Sequence, residues 1–123
     1  MCREHRLGFL ASSPLAGGFL ARRPAAAHSD YDWKDERFGS TAGDAALRVL
    51  AEIADKRLAT PAQVALAWVL RNPQASSAAI TASSPRELRE LIRATDLLLT
   101  SAETGALANV TMTHASSSEL HHV

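Results

Sequence analysis

The sequence predicts an α/β fold with parallel strands, and three observations carry the prediction. Two short apolar runs, residues 7–11 (Leu-Gly-Phe-Leu-Ala) and 78–80 (Ala-Ala-Ile), are each followed by turn-forming residues, as buried strands are. Stretches with apolar residues at helical spacing stand between and after them. The order is strand, loop, helix, helix, strand, helix, helix, which suits parallel strands covered by helices and buried on both faces. Two strands do not complete such a sheet, so the pattern is expected to be part of a larger one.

Taken in order, the first strand gives way to a loop at Ser13-Pro14-Leu15-Ala16-Gly17-Gly18. Pro14 holds Ser13 extended, and the two glycines permit a close backbone approach or a plain turn. Residues 24–43 show no periodicity and mix Pro, Gly, Asp and Ser, which predicts a long irregular loop. From about Asp44 to Leu58, the residues Leu47, Leu50, Ile53 and Ala54 mark one face of an amphipathic helix. Thr60-Pro61-Ala62-Gln63 then combines an N-cap, a proline at the first helical position and a capping-box glutamine. The helix that follows, residues 64–70, is apolar nearly all round and is expected to be buried on most sides until Asn72-Pro73 stops it.

The second strand ends in Ser84-Pro85-Arg86-Glu87, which repeats the cap pattern and begins a third helix with Leu88, Leu91 and Ile92 inward. A helix N-terminus directly after a strand, with free N–H groups and with Arg86 and Arg89 close by, suits a phosphate. The same residues also suit an ordinary capped surface helix. Thr100-Ser101-Ala102-Glu103 starts a short fourth helix, and residues 111–123 lack an apolar repeat and are expected to form a disordered tail, leaving 1–110 as the domain.

Composition excludes several classes of function. The formal net charge is zero, and 11 of the 13 basic residues are arginines scattered among 13 acids, so no basic patch for a nucleic acid is expected. The one cysteine, Cys2, has no internal partner, and a reducing, cytoplasmic setting follows as the default. The longest apolar run, residues 64–70, is far short of the roughly 20 residues that cross a bilayer, so a soluble protein is expected. Arg3 and Arg6 before an apolar run imitate a secretion signal, but Ser12-Ser13-Pro14 and Gly17-Gly18 interrupt the run. The five histidines have no metal-ligand spacing with Cys, Asp or Glu.

Four segments together resemble one family. Residues 13–20 (Ser-Pro-Leu-Ala-Gly-Gly-Phe-Leu), Arg37-Phe38, residues 60–70 (Thr-Pro-Ala-Gln-Val-Ala-Leu-Ala-Trp-Val-Leu), and Ala82-Ser83-Ser84-Pro85 with Glu87-Leu88 are similar to the C-terminal part of the aldo-keto reductases, in that family's order and spacing. The resemblance implies a C-terminal fragment of a (β/α)8 TIM barrel, with two strands and about four helices, from an enzyme that reduces an aldehyde or ketone with NADPH.

By matching position, Ser13, Pro14 and Leu15 would lie beside the cofactor's diphosphate, and Arg23 would cover it from the loop. Ser83, Glu87 and Glu90 would meet the adenosine end, and Arg86 or Arg89 would pair with a 2′-phosphate. Two positions depart from the family: Thr81 stands where it favours Gly, and Leu91 where it favours an Asn that touches adenine. No catalytic residue is assigned, because the family's Tyr, Lys, Asp and His would precede Met1. Tyr31-Asp32-Trp33-Lys34 falls in the irregular loop and matches no catalytic motif. The resemblance therefore implies a cofactor-binding portion that is inactive alone. The alternative is a small helical interaction protein or decayed reductase that docks the apolar surface of residues 64–70 on a partner or on itself.

Overall fold

The structure, a computed structural model, describes residues 1–21 and 41–118. Its sheet consists of β1 (Phe9–Ser12) and β2 (Ala75–Ala79), which run parallel. Leu10, Ala11 and Ser12 pair with Ser77, Ala78 and Ala79, while Phe9 pairs with Ala75, so Ser76 is the extra residue of a bulge. The bulge is satisfied locally: the Phe9 N–H donates to Ser76 Oγ at 3.1 Å. Gly8 makes room for it, since a Cβ there would stand 3.1 Å from the same oxygen.

Between the strands lie a kinked 3-10 segment (Ala16–Ala21), α1 (Thr41–Arg57) and α2 (Pro61–Arg71). After β2 come α3 (Pro85–Ile92), a 3-10 turn (Arg93–Asp96) and α4 (Ser101–Ser118). Three of the helix starts are those that the caps predict. Thr60 Oγ1 accepts the Gln63 N–H and Gln63 Oε1 accepts the Thr60 N–H, a complete capping box. Thr100 and Glu103 repeat it at α4, and Ser84 Oγ accepts the Glu87 N–H at α3.

The end of α1 is less well matched to its sequence. Ala59 N–H donates to the Ala54 carbonyl at 2.9 Å and Leu58 N–H to that of Asp55, the paired bonds of a Schellman motif. That motif places Leu58 at φ 52°, a left-handed conformation that glycine tolerates and leucine does not, with the side chain 97% exposed. Leu58→Gly is expected to stabilise the chain by about 0.5–1 kcal/mol, read as a higher urea midpoint at unchanged slope. A lower midpoint would show that the leucine side chain has a stabilising contact.

The core is built around α2. One face, with Val64, Ala65 and Ala67, packs on Leu50, Ile53 and Ala54 of α1 and on Leu99 and Leu107 at α4. The opposite face, with Ala62 and Leu66, packs on Leu91 and Ala94, with Ala78 and Ile80 alongside. This is the burial on most sides that an all-round apolar helix demands. It also removes the observation behind the docking alternative, because α2 does not present a free apolar face.

Several features differ from the sequence reading. Of the three α3 residues expected inward only Leu91 is buried, while Leu88 is 43% and Ile92 54% exposed. The strands are not buried on both faces: Phe9 is 48% and Leu10 59% exposed, because α2 covers a two-stranded sheet that has no further layer among the described residues. β2 also begins at Ala75, three residues before the apolar run, since ladder pairing with β1 and not hydrophobicity sets its start. Finally, α4 continues to Ser118, past the expected boundary near Val110. The irregular loop lies outside the described residues up to position 40, and residues 41–43 belong to α1.

Candidate functional site

The chain direction brings the carboxyl ends of β1 and β2 together. A cleft of about 510 Å3 opens there. From the β1 side it is lined by Ser12, Ser13, Pro14, Leu15, Gly17, Gly18 and Ala21; from the β2 side, by Ala79, Ile80, Thr81, Ser83, Glu87, Glu90 and Leu91, with Ala62 of α2 between them. Six of the nine residues singled out from the sequence, Ser13, Pro14, Leu15, Ser83, Glu87 and Glu90, thus share one cavity, although the two groups lie some seventy positions apart. Arg86 and Arg89 are exposed on α3 and do not line it. Arg23 and the Tyr31 to Lys34 segment lie outside the described residues.

The first rim is backbone-built. Ser13 is not extended, as a residue before proline is expected to be, but left-handed at φ 50°; Ala16 follows at 51°, and Gly17 and Gly18 at 64° and 93°. Four such residues in six positions turn the chain sharply over the strand end, and the two that are not glycine carry local strain. A Cβ added at Gly18 would meet no protein atom within 4 Å, so the room beside it belongs to the cleft.

The second rim departs from the expected phosphate cradle. Of the first N–H groups of α3, Pro85 has none, that of Glu87 is taken by Ser84 Oγ, and that of Leu88 by the Ser84 carbonyl. The Glu87 side chain does not return to the N-cap. Its Oε2 accepts both the N–H and the hydroxyl of Ser83 at 2.6 Å, so the box closes one residue early. These bonds, the hydroxyl first, hold the Glu87 carboxyl below the usual carboxylate range. The Glu87 and Leu88 N–H groups are therefore taken by Ser84, the Glu87 carboxylate is bonded to Ser83 just before the cap, and Arg86 and Arg89 are the positive groups nearest in sequence.

Glu90 is held from outside the cleft. The Thr60 hydroxyl donates to Glu90 Oε1 at 2.8 Å, and Gln63 Nε2 donates to the Glu90 carbonyl oxygen at 2.8 Å. The sequence reading missed this use of Thr60 and Gln63, which their spacing identified as a capping box alone. The only sequence signal was that both lie at a helix start.

The polar lining consists of the hydroxyls of Ser12, Ser13, Thr81 and Ser83, the last already donating to Glu87, and the carboxylates of Glu87 and Glu90, which only accept. No group of three or more His, Cys, Asp or Glu suited to a metal occurs among the described residues. No helix among them is long and apolar enough to cross a membrane.

Parallel strands with a cleft at their carboxyl ends and helices packed behind form an α/β arrangement of the kind found in (β/α)8 barrels. Comparison with known proteins gives the family. The model of the aldo/keto reductase family matches residues 1–111, and the chain belongs to that family. Among solved structures, the chain is similar to a thermostable aldo-keto reductase, Tm1743, crystallised with the inhibitor epalrestat. The TM-score is 0.63 and the identity 26%, over 89% of this chain and 31% of that one. Among curated proteins it is 38% identical, over 52 residues, to a Schizosaccharomyces pombe protein described as a candidate voltage-gated potassium channel subunit beta. That match spans 42% of this chain and 15% of the yeast protein.

Proposed function

We propose that this chain is the NADP(H)-holding portion of an aldo-keto reductase that converts an aldehyde or ketone to an alcohol. One observation carries the reading: the cleft at the carboxyl ends of β1 and β2 assembles Ser13, Pro14 and Leu15 with Ser83, Glu87 and Glu90. In this reading the loop after β1 supports the diphosphate, and Ser83, Glu87 and Glu90 accept or offer hydrogen bonds at the adenosine end. Arg86 and Arg89, on the exposed side of α3, pair with the 2′-phosphate as charge-assisted donors. When bound, the nicotinamide supplies a hydride to the carbonyl carbon. In this reading the family's proton-donating Tyr and its Lys, Asp and His lie outside the matched segments, and the portion described is inactive by itself. Its setting is cytoplasmic, with a carbonyl compound as the substrate class of the whole enzyme.

Calorimetric titration of the chain with NADP+ and NAD+ tests this. NADP+ is expected to bind more tightly, and the joint substitution Arg86→Ala and Arg89→Ala is expected to abolish the preference by removing about two charge-assisted contacts. Absence of binding by either dinucleotide would refute the cofactor reading. A preference that survives the double substitution would refute the role of the arginines alone.

A further inference from the structure

We infer that Thr60 is a positioning residue for nucleotide binding, acting through Glu90; the inference rests on the cofactor reading above. Thr60 does not line the cleft, and its visible role is to cap α2. Its hydroxyl nonetheless works in two directions. The oxygen accepts the Gln63 N–H at 3.3 Å, while its single proton goes to Glu90 Oε1 at 2.8 Å. Gln63 completes the clamp from the same turn: its Oε1 is held by the Thr60 N–H at 3.0 Å, and its Nε2 donates to the Glu90 carbonyl at 2.8 Å. Side chain and main chain of one α3 residue are thus both fixed by the first turn of α2.

The consequence for a ligand is physical. A glutamate in a half-open cleft has several rotamers, and a ligand that requires one of them must order it. Thr60 orders it in advance and engages one oxygen, leaving Oε2 without a bond to any described residue. A carboxylate oxygen can only accept, so it suits the donors of an adenosine, which are the exocyclic amine and the ribose hydroxyls. Charge-assisted hydrogen bonds are stronger than neutral ones, so the loss of a preset acceptor has a measurable effect on affinity.

A double-mutant cycle on the chain, with adenosine 2′,5′-bisphosphate as probe, tests the inference. Thr60→Gly keeps a helix start almost as favourable as threonine but removes the hydroxyl proton. It is expected to raise the probe's Kd about ten-fold, whereas Thr60→Ser, which keeps the donor, binds as the unaltered chain does. In a Glu90→Ala background, Thr60→Gly is expected to have no further effect, an outcome that a purely structural role of Thr60 does not give. If Thr60→Gly does not fold, Thr60→Ala, which also lacks the donor, takes its place in the same cycle, where the cost of the lost cap is present in both backgrounds and cancels. Equal losses in the two backgrounds, or no loss in either, would overturn the inference while the cofactor reading stands. Failure of the unaltered chain to bind the probe would overturn both.

Discussion

Leu91→Asn is expected to lower the stability of the chain by about 3 kcal/mol, although it restores the residue that aldo-keto reductases favour at this position. Leu91 borders the cleft, yet its side chain is only 1% exposed. It packs against Ala62, Leu66 and Ala94, with Ile80 beside them. Asparagine there forfeits the packing of the leucine and brings an amide against the apolar side chains of Ala62, Leu66 and Ala94. The two losses have the same sign, because each removes a favourable term or adds a desolvation penalty. Thermal unfolding followed by circular dichroism checks this, with a fall in midpoint of more than about 10 °C expected for a domain of this size. A fall of only a few degrees accompanied by tighter nucleotide binding would show that the amide turns into the cleft, and would reverse the account of Leu91 as core.

Glu103→Gln is expected to destabilise the chain by about 1–2 kcal/mol at neutral pH and to remove part of its acid sensitivity. Arg57, at the end of α1, donates from Nε and Nη2 to the two Glu103 oxygens, each at 2.8 Å, and the Thr100 N–H adds a third bond at 2.8 Å. The guanidinium, followed by Thr100, draws the Glu103 carboxyl down to about 2 against the opposing effect of burial. A carboxyl whose folded value lies below its unfolded value of about 4.5 stabilises the fold above the higher figure. The contribution is lost as pH falls from about 4.5 toward 2. The Arg57 side chain is 31% exposed, so solvent screening keeps the effect below what the depression of the carboxyl alone suggests. Urea unfolding at pH 7 and at pH 3 separates the contributions: the variant's midpoint should approach that of the unaltered chain at the lower pH. An unchanged gap between the two proteins would show that Glu103 acts through its cap bond and not through Arg57.

Sequence by itself determined where three of the helices, α2, α3 and α4, begin. Thr60, Ser84 and Thr100 cap helices in the structure because a cap is a contact between residues three apart, settled before any tertiary neighbour arrives. It also determined that α2 must be surrounded, since an all-round apolar helix has no face for water, and it carried the motifs by which the family is recognised. Only the tertiary structure decided what the charged and polar side chains touch. Glu87 reaches Ser83 and not Ser84, Glu90 is held by Thr60, and Glu103 meets Arg57 across 46 positions of chain. Such partners are chosen by how one helix lies on the next, and no spacing along a single helix encodes them. The meeting of the β1 loop with the start of α3 is of the same kind. Both segments carry their turn and cap residues in the sequence, but a cleft exists only because parallel pairing sets the two strand ends side by side.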